Sequence, residues 1–409
     1  MASSIRGRAV RLLDNFINQT LVLSTRNISR SLSENSIRGD YQGCQSSVLL
    51  TSETRGRARS SYRRLSSAGR ALRQVQEPGR QASPLSPAHR VSLVDTDLRH
   101  MFDDIKKELE SQFELQEIAK YYFDGQGKAV RPLITVLMSR AINTHLHDED
   151  RLFNTQWQVA KVTEMLHTAS LVHDDVLDAS DTRRGKPSVN NLYGQRKAVM
   201  AGDYILSVAS TMLARIRNEE VIVVLSQVLS DLVQGEFMQL GSKENENERF
   251  AHYLKKTFKK TASLIAYSCK AVAILSGADD SLQEVAFQYG RNVGIAFQLV
   301  DDLLDFVSSS STMGKPTAAD LKLGLATAPV LFACEKFPEL NPMIMRRFQE
   351  PGDVQKAFEL VHKSDGLEQT QFLARQHCQE AIKVISTLKP SEEQKALITI
   401  TDKVLNRIK

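Results

Sequence analysis

The chain has 409 residues, 42 % of them hydrophobic and 25 % charged, with a formal net charge of +5. Residues 1–90 hold 15 Arg, no Lys and only five acidic residues (Asp14, Glu34, Asp40, Glu53, Glu77), a local charge of +10 that leaves residues 91–409 at −5. The basic balance therefore belongs to the first ninety residues and gives no ground for a nucleic-acid partner. Four cysteines (Cys44, Cys269, Cys334, Cys378) without a C-x-x-C pair argue against a disulfide framework or a zinc site, and no run of 18 or more apolar residues predicts a transmembrane helix.

Residues 1–90 also hold 16 Ser and show little sustained periodicity. An Arg- and Ser-rich, acid-poor N-terminus reads as a mitochondrial transit peptide followed by a disordered linker. Arg6, Arg8 and Arg11 interleave with Ile5, Val10, Leu12, Leu13, Phe16 and Ile17 as a short amphipathic helix. A plain basic tail is the competing reading.

From residue 91 helical periodicity dominates, and strand-like alternation is almost absent. Asp97 to Tyr122 reads as one amphipathic helix, broken by Gly125 and Gly127. Pro132 opens the next, because proline is tolerated in a first turn. Lys128 and Arg131 then fall at a Gly-rich helix entrance, a good position for an anion. A helix over Gln156 to Asp178 carries Asp174, Asp175 and Asp178, with His167 two turns earlier.

Further helices are expected from Ala201 through Ala214, from Val221 to Met238, and from Phe250 to Ala273. On the last, Lys255, Lys256 and Lys259 read as the wet face, whereas Lys260-Thr261 stands where the run turns apolar and can look inward. Glu284 to Val307 carries Asp301, Asp302 and Asp305. Ser308 to Ser311 begins a flexible loop that holds Lys315. Ala328-Pro329 opens another helix, and shorter ones follow to Lys409. The expectation is an all-α domain over residues 91–409, with the two acidic helices facing each other in its core.

Those two helices carry the chemistry. Asp174 and Asp178 form an i,i+4 pair, and like charges at that spacing cost a helix roughly 0.2–0.5 kcal/mol per pair. The same D-D-x-x-D pattern returns 127 residues later at Asp301. One such match is expected about 0.1 times by chance in a chain of this length, so two together are not an accident of composition. The flanks (Leu171, Val172, Val176, Leu177; Leu299, Val300, Leu303, Leu304, Phe306) make both helices core helices. Carboxylates there must face a cavity or a partner. Hard oxygen ligands select Mg²⁺, Mn²⁺ or Ca²⁺, and Mg²⁺ is usually shared between carboxylates and substrate phosphate. Arg183-Arg184, Lys128, Arg131, Lys260 and Lys315 supply phosphate-binding cations nearby.

The ordered set Gly125-x-Gly127-Lys128-x-x-Arg131-Pro132, Asp174 to Asp178 with Arg183-Arg184-Gly185, Lys260-Thr261, Phe297-Gln298-x-x-Asp301 to Asp305 and Gly314-Lys315-Pro316 resembles the trans-polyprenyl diphosphate synthases. The likeness covers residues 95–409. The leader and the run from Gly241 to Thr261 bring it nearest to the mitochondrial long-chain members that make the ubiquinone side chain. It implies an isoprenoid-synthase-type helical bundle with a central cavity. It also implies sequential condensation of isopentenyl diphosphate onto an allylic diphosphate, farnesyl or geranylgeranyl, with Mg²⁺ as cofactor and Mn²⁺ as a substitute.

By resemblance Asp174, Asp178 and Asp301 hold the metal ions, and Asp175, Asp302 and Asp305 support them through waters. Arg183, Lys260, Thr261, Gln298 and Lys315 bind the allylic diphosphate. Lys128, Arg131, His167 and Arg184 bind isopentenyl diphosphate. Ala169 and Ser170, small residues five and four before Asp174, leave room for a long product. A related second subunit in a heterotetramer, and peripheral contact with the inner membrane from the matrix side, are further implications. A non-catalytic partner subunit and a class I terpene cyclase are the competing readings. Neither explains why all six aspartates and the isopentenyl-binding set are present together.

Overall fold

The computed structural model describes residues 98–408 apart from 99, 112, 126, 128, 242–247 and 308–317. The expected transit peptide and linker, Lys128, and Lys315 with its loop lie outside the described residues.

The chain runs through a short helix α1 (residues 100–108) and α2 (Phe113–Lys120) into α3 (Val130–His147) and α4 (Asn154–Leu177). A two-residue hairpin, β1 (Thr182–Arg183) with β2 (Lys186–Pro187), is the only strand pair among the described residues. Next come α5 (Val189–Tyr193), α6 (Gln195–Arg215), α7 (Glu219–Gly241) and α8 (Arg249–Thr257). A π turn (Phe258–Ala262), α9 (Ser263–Leu275) and α10 (Asp280–Val307) complete the central part. The remainder is α11 (Ala319–Lys322), α12 (Ala328–Lys336), α13 (Leu340–Met345), α14 (Asp353–Lys363), α15 (Gly366–Ile385), α16 (Glu392–Leu405) and a closing 3₁₀ turn (Asn406–Ile408).

The all-α expectation holds, and α9 is the hub. It packs against α10, α7, α3 and α4, while α10 leans on α15 and α16 closes against α3. The two acidic helices, α4 and α10, each pack on α9 more than on each other. That is the arrangement a cavity between them requires. Tyr289 on α10 is fully buried and donates from Oη to the Leu397 carbonyl at 2.9 Å, which ties α10 to α16. Cys269 and Cys378 are buried thiols, and Cys334 is half-buried.

Several helix boundaries differ from expectation, each for a local reason. The helix expected over Asp97 to Tyr122 is two helices, and at the break the Ser111 N–H donates to the Gln116 side-chain oxygen at 3.2 Å. Helix α6 starts at Gln195, six residues before Ala201, because the chain breaks at Gly194 (φ 78°) instead. Gly202 lies inside α6, where a Cβ would fall 2.2 Å from His173 Nε2.

The run expected as one helix over Phe250 to Ala273 is interrupted by the π turn. Gly294 on α10 makes room for that turn, since a Cβ there would fall 2.5 Å from the Ala262 Cα. Helix α7 is the one described helix that bears on the membrane expectation. Its residues Glu219–Gln239 have a mean hydropathy of 1.4, long and apolar enough to cross a membrane, and only 28 % of that stretch is buried. Two acids on it, Asp231 and Glu236, pair with lysines of the π turn, so the helix is built into the bundle.

Candidate active site

Helix α4 ends on the first acidic motif, and its three aspartates have separate surroundings. Asp175 is fully buried. Its carboxylate accepts from Tyr122 Oη at 2.6 Å and from Arg183 Nε at 2.8 Å and Nη2 at 2.5 Å. Among the described residues no protein donor engages the carboxylate of Asp174 or Asp178. Burial pushes Asp174 up to about 6, with Glu236 and Asp178 adding to the rise against the pull of Lys260. Asp178 is raised for the same reasons.

Lys260 and Thr261 sit in the π turn. An inserted residue of this kind shifts the helical phase and re-aims side chains, and such turns are frequent at functional sites. Lys260 Nζ lies 2.6 Å from Glu236 Oε2 and 3.3 Å from Gln239 Oε1, both on α7. Its charge acts on Asp174 and Asp178. Thr261 Oγ1 donates to Gln298 Oε1 on α10 at 2.9 Å, and Gln298 Nε2 donates to Asp302 at 2.9 Å. One dipeptide therefore links the first acidic motif to the second.

The second motif repeats the plan of the first. Asp302 is buried and accepts from Tyr253 Oη at 2.5 Å, as Asp175 does from Tyr122. Asp305 accepts from the backbone N–H groups of Ala319 and Asp320 at 3.0 Å each, so it anchors α11. Asp301 is half-exposed, and Arg407 Nη1 lies 2.9 Å from its Oδ1.

A basic cluster stands beside the motifs. Arg131 Nη1 is 3.0 Å from His167 Nε2, and Arg131 Nε is buried without a hydrogen-bond partner. Arg184 lies against Gly127, where a Cβ would meet its Nη1 at 2.5 Å. The turn that presents it has positive φ at both Arg184 (53°) and Gly185 (78°), the two-residue form that suits the twist of a hairpin. Lys186 pins the hairpin to the Gly-rich segment, with Nζ 2.6 Å from Asp124 Oδ2 and 2.8 Å from the Tyr121 carbonyl. Burial, together with Arg131 and Arg184, holds His167 well below its ordinary value and therefore neutral. Glu164, one turn earlier on α4, is 3 % exposed, and burial pushes it up to about 7 against the pull of Arg131 and Arg184.

The donor set fits a hard divalent cation shared with phosphate. Asp174 and Asp178 are carboxylates one turn apart with no protein donor among the described residues, and Asp301, which pairs with Arg407, adds a carboxylate from α10. Among the described residues no three His, Cys, Asp or Glu are placed to hold an ion unaided. Mg²⁺ rarely uses an all-protein cage and completes its octahedron with water and substrate oxygens.

The structure thus brings Asp174, Asp178, Lys260, Thr261 and Gln298 together, and gathers Arg131, His167 and Arg184 beside them. Asp175 and Arg183 bond to each other. Ala169 is fully buried in the main core cluster, while Ser170 is half-exposed with its hydroxyl turned back to the His167 carbonyl at 2.8 Å.

The wet-face expectation holds for Lys255 and fails for its neighbours. Lys259 Nζ is 2.6 Å from Asp231 in a nearly buried pair, and Lys256 is largely buried near Asp302. The sequence reading also missed Glu236, Gln239 and Arg407. An acid inside a long apolar helix was the available signal for Glu236.

Known proteins align with this chain along most of its length. A profile described as polyprenyl synthetase matches residues 112–361. An all-trans-polyprenyl-diphosphate synthase of Homo sapiens is 61 % identical over 314 residues, 76 % of each chain. A decaprenyl-diphosphate synthase subunit 1 of Schizosaccharomyces pombe is 43 % identical, covering 78 % of this chain and 91 % of that one. The crystal structure of a polyprenyl synthase of Caulobacter crescentus, complexed with calcium and isoprenyl diphosphate, superposes with a TM-score of 0.70 at 30 % identity, over 79 % of this chain and 98 % of that one.

Proposed function

Since the chain belongs to the polyprenyl synthetase family, we propose that the cavity between α4 and α10 is where it extends an allylic diphosphate with isopentenyl diphosphate. It is a prenyltransferase, an all-trans-polyprenyl diphosphate synthase of the kind that supplies the ubiquinone side chain. The observation that carries the site assignment is the Lys260-Thr261 dipeptide. It sets a cation beside the two unengaged carboxylates of α4 and hydrogen-bonds across to α10.

Asp174, Asp178 and Asp301 would hold Mg²⁺, which supplies charge neutralisation of the leaving diphosphate as the allylic C–O bond breaks. Lys260 and Arg183 bind the same diphosphate, joined by Lys315. For Lys260 this means exchanging Glu236 for a phosphate oxygen. Arg183 is oriented by two hydrogen bonds to buried Asp175, leaving Nη1 of its fork for the ligand. Arg131 and Arg184, with neutral His167, bind isopentenyl diphosphate, together with Lys128. The apolar walls of α4 and α9 exclude water from the allylic cation. The new C–C bond forms at that cation, and the proton lost from the isopentenyl unit passes to the released diphosphate.

Assembly with a related second chain fits the exposed apolar residues of α7. Val223, Val233 and Phe237 are 64 %, 58 % and 72 % exposed and lie within one face of that helix. The Arg-rich first ninety residues and the mitochondrial relatives place the enzyme in the mitochondrion, on our reading in the matrix. Peripheral contact with the inner membrane follows from the apolar product.

The test uses the full chain with Mg²⁺, farnesyl or geranylgeranyl diphosphate and labelled isopentenyl diphosphate, alone and with its related subunit. Products are dephosphorylated and sized. A ladder ending at one long polyprenol is expected. No chain elongation in either mixture would overturn the reading.

A further inference from the structure

Lys256 is an ammonium without an acceptor. It lies on α8, four residues before Lys260, and is largely buried. No hydrogen bond or ion pair holds its Nζ. The ring of Tyr253 lies below it at 5.9 Å, near the limit of a useful cation–π contact. The charges that act on it come from four elements: Asp302 on α10, Lys260 in the π turn, Asp320 on α11 and Glu236 on α7. All four border the candidate active site.

The other cations of the candidate site are committed elsewhere. Lys259 pairs with Asp231, Lys260 with Glu236, Arg183 with Asp175 and Arg407 with Asp301. Asp302, the nearest candidate partner, already accepts from Tyr253 and Gln298 and makes no ion pair with Lys256. Burial of the side chain lowers its proton affinity, while Nζ itself is not among the fully buried atoms that lack a partner. A polyanion entering beside Lys260 would give that unpaired charge a partner.

We infer that Lys256 is a further diphosphate-binding residue, its ammonium taking an oxygen of the allylic diphosphate from the α10 side while Lys260 takes another from the α4 side. The inference rests on the prenyl-transfer reading above and adds a fourth cation to the three, Lys260, Arg183 and Lys315, assigned there to the allylic diphosphate. The ligand then lies between two lysines one turn apart on α8 and the π turn. The first faces the buried carboxylate of one aspartate motif, and the second faces the open carboxylates of the other.

The test is calorimetric and needs no turnover. The full native chain is titrated with farnesyl thiodiphosphate, an unreactive sulfur analogue, in Mg²⁺, and separately with isopentenyl diphosphate. Lys256→Met keeps the length of the side chain and removes the charge, and Lys256→Arg keeps the charge. A charge-assisted hydrogen bond predicts a loss of about tenfold or more in analogue affinity for Lys256→Met. Lys256→Arg should stay within about threefold of native, with isopentenyl diphosphate binding unchanged in both.

Equal analogue affinity for native and Lys256→Met would overturn the assignment, whatever happens to thermal stability. A fall in Tm with unchanged affinity would reduce Lys256 to a counter-charge for Asp302. Failure of the native chain to bind the analogue would overturn the prenyl-transfer reading and this inference with it.

Discussion

Arg407, in the last turn of the chain, reaches Asp301 at 2.9 Å, and its guanidinium lies 4.6 Å from the centre of the Phe297 ring. Asp301 also acts electrostatically on Arg131, which on the proposed assignment sets the pair beside the isopentenyl subsite. On that reading the C-terminal turn lines the site. Both partners are about one-third exposed, at 32 % and 35 % of the side chain, and such a pair contributes only about 0–1 kcal/mol to stability. Arg407→Ala should leave Tm nearly unchanged. It should raise KM for isopentenyl diphosphate several-fold while moving KM for the allylic diphosphate much less. Steady-state kinetics with each substrate varied in turn checks the split, and equal shifts would reject it.

Asp174 offers a test of the metal assignment that is independent of turnover. Burial beside Asp178 and Glu236 raises its pKa to about 6, so ionised Asp174 strains the ligand-free fold. Asp174→Asn should therefore be at least as stable as the native protein without Mg²⁺. Native protein should gain Tm on adding Mg²⁺ with inorganic diphosphate, because a ligand that binds only the folded state stabilises it. The variant should gain little, and its turnover should fall by three orders of magnitude or more. Thermal melts with and without the ligands, set beside turnover, decide it; activity within tenfold of native would remove Asp174 from the metal set.

The open carboxylates were legible in the sequence because an i,i+4 acid pair inside an apolar run has no structural use. The division of labour inside each motif was less legible. The middle aspartates, Asp175 and Asp302, turn away from the cavity to a tyrosine, and those tyrosines lie 53 residues upstream and 49 residues upstream. No local pattern announces such a contact. Lys256 was misread because only its packing beside Asp302, 46 residues away in the chain, removes it from the wet face; Lys259 was misread because a helical wheel drawn from Phe250 assumes an unbroken 3.6-residue period. The π turn at Phe258–Ala262 inserts one residue and rotates everything beyond it by about 100°. Glu236 was obscured for another reason. A polar residue near the end of a helix is ordinary, and only the pairing with Lys260 gives it a role.

Glu164 predicts a pH dependence of stability. Its pKa in the folded chain is about 7, raised by burial from an ordinary 4.5. Between those values the folded protein binds more protons than the unfolded chain, so this group makes stability fall as pH rises through that window. The loss is complete above the folded pKa and amounts to a few kcal/mol at about 1.4 kcal/mol per unit. Glu164→Gln keeps the neutral form at every pH. Urea denaturation of both proteins should show the variant gaining on the native chain between pH 5 and pH 8. A constant difference between them across that range would mean that Glu164 stays ionised when buried.

Phe237 tests the assembly. It is 72 % exposed on α7, a position where a large aromatic side chain gains nothing in an isolated chain. Phe237→Glu should leave the fold of the single chain intact and weaken its association with the related subunit at least tenfold. Sedimentation velocity over a concentration series measures this directly. An unchanged distribution of species would move the interface off this face of α7.

We propose that product length turns on Ala169. It is fully buried on α4, five residues before Asp174, within the core cluster that includes Leu166 and Leu264. A phenylalanine there adds a ring to a packed wall, and overpacking of this kind costs about 1–3 kcal/mol unless the ring finds open space. On the proposed reading, the space occupied by the growing product lies along this wall. Ala169→Phe should therefore fold with a modest loss in Tm and release a shorter product. The affinity for the allylic diphosphate should be kept, because its charged end binds at Lys260. Ser170→Phe, from a half-exposed position with its hydroxyl against the His167 carbonyl, should shorten the product at a smaller cost in stability. Chromatography of the dephosphorylated products reads both. An unchanged chain-length distribution in folded Ala169→Phe would place the growing chain along a different wall of the cavity.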